Sequence, residues 1–88
     1  PIGLAYEVVA PEALMDRALE LGATLAKGAT VGQGICKRAI DQGLSTSLAD
    51  GLKIELDAFV EVFGTEDSQI GVKSFLENGP GKADFVGR

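Results

Sequence analysis

Apolar positions recur along this chain at helical spacing. After Pro11-Glu12, Leu14, Ala18, Leu21 and Leu25 follow at intervals of four, three and four, a single helical stripe, with Asp16, Arg17, Glu20 and Lys27 off it. Proline suits a first helical turn, Glu12 complements its positive end, and Gly28 is a natural stop. A second helix is expected from about Thr30 to Gln42, with Val31, Ile35, Cys36, Ala39 and Ile40 as its apolar arc and Lys37, Arg38 and Asp41 as its wet side. Thr30 would be its N-cap and Gly43 its C-cap. Gly32 and Gly34 weaken its first turn by roughly 1 kcal/mol each against alanine. Ser47, three residues before Asp50, approximates a capping box for a third helix that runs to Phe63 and ends at Gly64. Thr65 then caps a fourth, from about Glu66 to Glu77, and residues 78–88 read as loop. Ahead of the helices, Leu4-Ala5-Tyr6-Glu7-Val8-Val9 has strand-like residues. The expected fold is mainly α, about four helices after one short N-terminal strand, in a single helical domain over residues 1–88.

Two features mark the chain as incomplete by itself. A lone strand has nothing to pair with. On the third helix, Leu52, Leu56, Phe59 and Phe63 fall within about 60° of one another at 100° per residue. Ile54, Ala58 and Val62 form a second apolar row, with only Lys53, Asp57 and Glu61 as a polar strip between. A helix apolar on two sides needs two partners. It is either the central helix of a small bundle or an interface with other subunits or with a missing part of the protein.

Composition narrows the functions. Eighty-eight residues allow one domain, whose folded surface should be about 4,900 Å². Thirteen acidic against eight basic residues give a net charge of −5, which argues against nucleic-acid binding and against an anionic membrane surface. No apolar run approaches the length of a spanning helix and no signal peptide is evident, so a cytoplasmic location is expected. One cysteine, Cys36, can form no internal disulfide, and with no histidine there is neither a histidine metal site nor a Ser-His or Cys-His nucleophile. No catalytic residue and no metal ligand is assigned.

The remaining motifs read as structural. Gly32-Gln33-Gly34 lacks the later glycine and preceding strand of a dinucleotide loop, so close helix packing or a loose helix start explains it better. Cys36 on an apolar arc reads as a small buried hydrophobe, and Glu66-Asp67 as complements to a helix dipole. Lys37-Arg38 reads as a solvated face, and Phe59, Phe63, Phe75 and Phe85 as core or interface residues before ligand contacts.

Taken in order, the segments resemble a known family. Gly3-Leu4-Ala5-Tyr6-Glu7-Val8-Val9-Ala10-Pro11-Glu12 is similar to the junction "G-L-V-x-x-V-V-P-x-E" that follows the core sheet of the crotonase (enoyl-CoA hydratase/isomerase) superfamily. Leu21 to Ala26 and Cys36-Lys37-Arg38-Ala39 resemble its next two helices. Leu48-Ala49-Asp50-Gly51-Leu52 to Phe59, with Glu55, resembles "L-x-x-G-L-x-x-E-x-x-x-F". Phe63-Gly64-Thr65-Glu66-Asp67, Gly71, Phe75-Leu76-Glu77 and Phe85-Val86-Gly87-Arg88 resemble the closing "F-x-S/T-x-D-x-x-E-G-x-x-A-F-x-E-K-R-x-P-x-F-x-G". Ile70 replaces the acid before Gly71. Asn78-Gly79 replaces the terminal basic pair, and a short insertion makes Lys82 the nearest cation.

The resemblance covers essentially the whole chain but only the C-terminal third of the family. It implies the helical, trimer-forming region of a crotonase-like fold, a fragment of a larger chain whose N-terminal catalytic core is absent. The start at Pro1-Ile2-Gly3 without Met fits that expectation. The missing part would carry the oxyanion hole and the acid/base carboxylates. The present segment would build a homo-oligomer, a trimer or dimer of trimers, and cover part of the acyl-CoA site. By the same resemblance Phe59 and Phe75 lie near the acyl chain and CoA, with Lys82 as a weak charge for the CoA phosphates. The parent would be an enoyl-CoA hydratase/isomerase family lyase with no cofactor and with a coenzyme A thioester as substrate. Hydration of a 2-enoyl-CoA is the commonest activity implied; isomerisation, thioester hydrolysis and dehalogenation share its enolate logic. The 88-residue chain alone would be inactive. The rival reading is a free-standing helical protein-interaction module.

Overall fold

A computed structural model describes residues 2–88. Ala10 is extended before Pro11, which opens a 3-10 turn, Pro11–Ala13, that continues into α1, Leu14–Ala26. α2 spans Thr30–Leu44, α3 Leu48–Phe63 and α4 Glu66–Asn78. The four helices stand where the apolar periodicity puts them. Two caps act as expected: the Ser47 hydroxyl accepts from the Asp50 N–H at 3.1 Å, and the Thr65 hydroxyl from the Ser68 N–H at 3.1 Å.

Three local expectations are corrected. Residues 4–9 form no strand, and no strand occurs among the described residues. With no second strand to share a ladder, this segment is irregular, with bends at Leu4 and Tyr6, and is tied to α1 by Arg17, which donates to Glu7 at 2.8 Å. That hydrogen bond, and then the carboxylate's charge, raises the arginine pKa above its ordinary value. Thr30 is not a cap. Ala29 takes that position without a side-chain hydrogen bond, and Thr30 is already helical. Gly43 is not a stop either, because α2 continues to Leu44.

Gly43 has a different use. α2 and α3 form an antiparallel hairpin around the short 45–47 turn, with Gly43 facing Gly51 and Arg38 ion-paired to Glu61 further along. A Cβ on Gly51 would lie 3.1 Å from the Gly43 carbonyl oxygen, so the backbones nearly touch there. Ile35 (4% exposed) and Ala58 (8%) are the buried apolar side chains of the described residues. One α3 row, Ile54, Ala58 and Val62, therefore has its partner in α2. The other row, Leu52, Leu56, Phe59 and Phe63, remains open to solvent.

The rest of the molecule is loosely assembled. α1 buries no side chain, and Leu14 and Leu25 of its stripe are exposed. The Gln33 side chain, in the Gly32-Gln33-Gly34 motif, donates to the Leu25 carbonyl at 3.0 Å and so closes the C-terminal end of α1. The Cα radius of gyration is 16.2 Å, against about 12 Å for a compact chain of this length. The accessible surface is 7,126 Å², about 2,200 Å² above the compact expectation. Among the described residues no helix is long and apolar enough to cross a membrane.

Candidate functional site

The chain after α4 makes the most structured loop of the molecule. Gly79, at φ 81°, turns it out of the helix, and it returns along α4 until Phe85 rests on Gly71. A Cβ at Gly71 would come within 3.3 Å of the Phe85 ring. The end of the chain is then fastened to the first turn of α4. The Asp67 carboxylate accepts from the Val86 N–H at 2.7 Å and from the Gly87 N–H at 2.8 Å, while the Asp67 N–H donates to the Arg88 carbonyl at 2.8 Å. The Arg88 guanidinium also donates to Glu66 at 3.1 Å. Gly87 adopts φ 78°, and a Cβ there would sit 3.1 Å from the Thr30 hydroxyl, so only glycine passes this point without strain.

Between this returning tail, α4 and the end of α1 lies a hollow of about 390 Å³. Thr24, Lys27, Ser74, Phe75, Lys82 and Phe85 contribute to its walls. Two lysines meet two aromatic rings here. Neither lysine has a carboxylate within ion-pair distance among the described residues. The Ser74 hydroxyl is buried and without a hydrogen-bond partner. No carboxylate lines the hollow. The arrangement can hold a ligand with an anionic group and an apolar body, but it brings no carboxylates together for acid/base work.

Of the residues singled out in the sequence, Phe75 and Lys82 come together here, and Phe59 does not. Phe59 lies on α3 in an edge-to-face pair with Phe63, ring centroids 5.0 Å apart, and it is 62% exposed. Phe85 sits on Gly71 as a packing residue and lines the hollow as well.

A second hollow, about 400 Å³ and mainly apolar, opens between α2 and α3, where Cys36, Ile40 and Leu44 face Leu48, Leu52 and Glu55. Cys36 is exposed, which corrects its reading as a buried hydrophobe. It lies beside Ile35 on the apolar arc, but α3 buries only the Ile35 side of that arc and leaves Cys36 and Ile40 exposed.

Asp67 is the residue that sequence reasoning missed. It stands in the first turn of α4, where an acid complements the helix dipole, but it is also the most buried side chain of the described residues, at 1% exposure, and holds the tail. Its partners lie 19 and 20 positions away, beyond any periodic signal. The glycine at 87, needed for positive φ, was the one visible hint.

A sequence model of the enoyl-CoA hydratase/isomerase family matches residues 1–87. Among curated relatives, YngF of Bacillus subtilis, which carries that family name, is 40% identical over 76 residues, 86% of this chain and 29% of its own. The short-chain-enoyl-CoA hydratase of Clostridium acetobutylicum is 36% identical over the same shares of each. The crotonyl-CoA hydratase of Syntrophomonas wolfei is 31% identical over 87 residues, 99% of this chain and 33% of its own. The chain thus spans about a third or less of the relatives it matches. No solved structure matches it.

Proposed function

Because this chain belongs to the enoyl-CoA hydratase/isomerase family, we propose that it serves as the C-terminal helical segment of an acyl-CoA enzyme, where it joins subunits and closes part of the acyl-CoA site. The parent reaction on this reading is hydration of a 2-enoyl-CoA. The observation that carries the assembly role is the open row Leu52, Leu56, Phe59 and Phe63, each more than half exposed on a helix whose opposite row is already packed. Exposed apolar patches beyond a few hundred Å² are rare on soluble monomers and mark surfaces that another protein surface covers. A foreign partner could cover this row equally well. The relatives' greater length favours the rest of the same chain and its copies, because two thirds of each relative lies outside the matched part.

The division of labour follows from what the hollows contain. Hydration through an enolate needs preorganised donors for the developing oxyanion and a positioned acid and base. Neither hollow of this segment brings two carboxylates together; the apolar one has Glu55 alone. This segment therefore binds and encloses, while the chemistry belongs to the remainder of the enzyme. Phe75 supplies an apolar wall, Lys82 a cation for the CoA phosphates, and Phe59 an apolar contact on α3. The thioester is the substrate, and no separate cofactor enters the reading.

The test is Lys82→Ala in the full chain. A loop lysine contributes little to the fold, and an exposed ion pair is worth about 0–1 kcal/mol, so acyl-CoA affinity should fall a few-fold at low salt and the difference should shrink as salt is added. Unchanged affinity at low salt removes Lys82, and with it the hollow, from the acyl-CoA site.

A further inference from the structure

We infer that Asp67 is a positioning residue for the acyl-CoA site, holding residues 79–88 against α4 so that Lys82 and Phe85 form one wall of the hollow. The inference rests on the reading of that hollow as part of the acyl-CoA site. Its own basis is the latch. A carboxylate that is almost wholly buried needs strong partners, and Asp67 has two backbone N–H groups from the tail, with a third hydrogen bond running back from its own N–H to Arg88. Gly79 and Asp67 thus fix the two ends of a strap whose middle carries Lys82 and Phe85. Within the strap itself, residues 80–85, the side chains of the described residues are mostly half-buried or exposed, and its other visible anchor is the Phe85 ring on Gly71. With the carboxylate's two hydrogen bonds gone, the tail keeps only the Phe85 ring on Gly71, the Asp67 N–H to the Arg88 carbonyl and the exposed Arg88–Glu66 pair, and Lys82 is held less firmly at the hollow.

The perturbation is Asp67→Asn in the full chain, which keeps the volume but puts an N–H₂ where one tail N–H must be accepted. Three readings are taken. Amide exchange at Val86 and Gly87 should rise by about tenfold or more, since hydrogen bonds to charged acceptors are among the strong ones. KM for the acyl-CoA should rise a few-fold with kcat within about twofold of the parent; a purely structural lesion would instead lower kcat through the folded fraction and leave KM alone. Adding Lys82→Ala to Asp67→Asn should cost clearly less than it does in the parent, because the lysine is no longer held in place. If the asparagine variant does not fold, Asp67→Glu, which keeps the charge, should retain part of the exchange protection and carry the same comparison. Unchanged exchange at Val86 and Gly87 overturns the latch, and a full Lys82→Ala penalty in the Asp67→Asn background overturns the positioning role. If Lys82→Ala has no effect on the parent protein, the acyl-CoA reading of the hollow fails instead, and the ligand side of this inference falls with it.

Discussion

Gly51→Ala probes the close approach of the α2 and α3 backbones. The new Cβ would lie 3.1 Å from the carbonyl oxygen of Gly43 and 3.5 Å from its Cα. Both are backbone atoms, so no side-chain rotation can relieve the contact, and α2 and α3 must separate by a few tenths of an ångström. Inserting a methyl group into a tight contact costs about 1–3 kcal/mol. Against this, alanine is better than glycine inside a helix by about 1 kcal/mol. The cost prevails, the more so because Ile35 and Ala58, the buried apolar pair, belong to the same helix hairpin and lose contact as it opens. A net loss of about 1 kcal/mol corresponds to a fall in Tm of about 4–8 °C for a domain of this size. Gly34→Ala is the internal control. Nothing lies within 4 Å of its Cβ position, so only the helix-propensity gain remains and Tm should rise by a few degrees. Thermal unfolding followed by far-UV circular dichroism, at one fixed protein concentration, reads both. If Gly51→Ala is as stabilising as Gly34→Ala, the two helices do not meet at these glycines.

Two further outcomes are expected of the 88-residue chain by itself. It should not hydrate crotonyl-CoA, since neither hollow brings two carboxylates together; turnover above the buffer rate would refute this. It should self-associate at tens of micromolar, with about 2,200 Å² of excess surface to cover; a clean monomer in sedimentation, with a cooperative melt, would count against an uncovered interface.

How legible the molecule was in its sequence depends on the range of each interaction. The helices and the caps at Ser47 and Thr65 are local, set by residues three or four apart, and they stand where the pattern puts them. The two rows of α3 were visible in the same way: the Ala58 row packs on α2, and the Phe59 row stays open. What local pattern could not supply was partnership. Leu4 to Val9 has strand residues but no second strand, Gly43 looks like a stop until α3 is seen against it, and Cys36 lies on an arc that only one neighbour half covers. The hollow depends on the same kind of information. Phe75 and Lys82 come from a family resemblance, but Lys27, Ser74 and the Asp67 latch join the hollow across long stretches of sequence, more than half the chain between Lys27 and Lys82.

The central claim is that the open face of α3 builds the assembly in which an acyl-CoA site is completed. Leu56→Asp tests it most directly, because Leu56 is 61% exposed and its replacement should leave the helix hairpin intact. Sedimentation velocity of the full chain carrying this substitution should show the assembled species replaced by smaller ones at a concentration where the parent remains assembled, since a carboxylate buried in an apolar interface without a partner costs several kcal/mol. An unchanged sedimentation profile would contradict the claim and leave the Leu52, Leu56, Phe59 and Phe63 row without the role assigned to it.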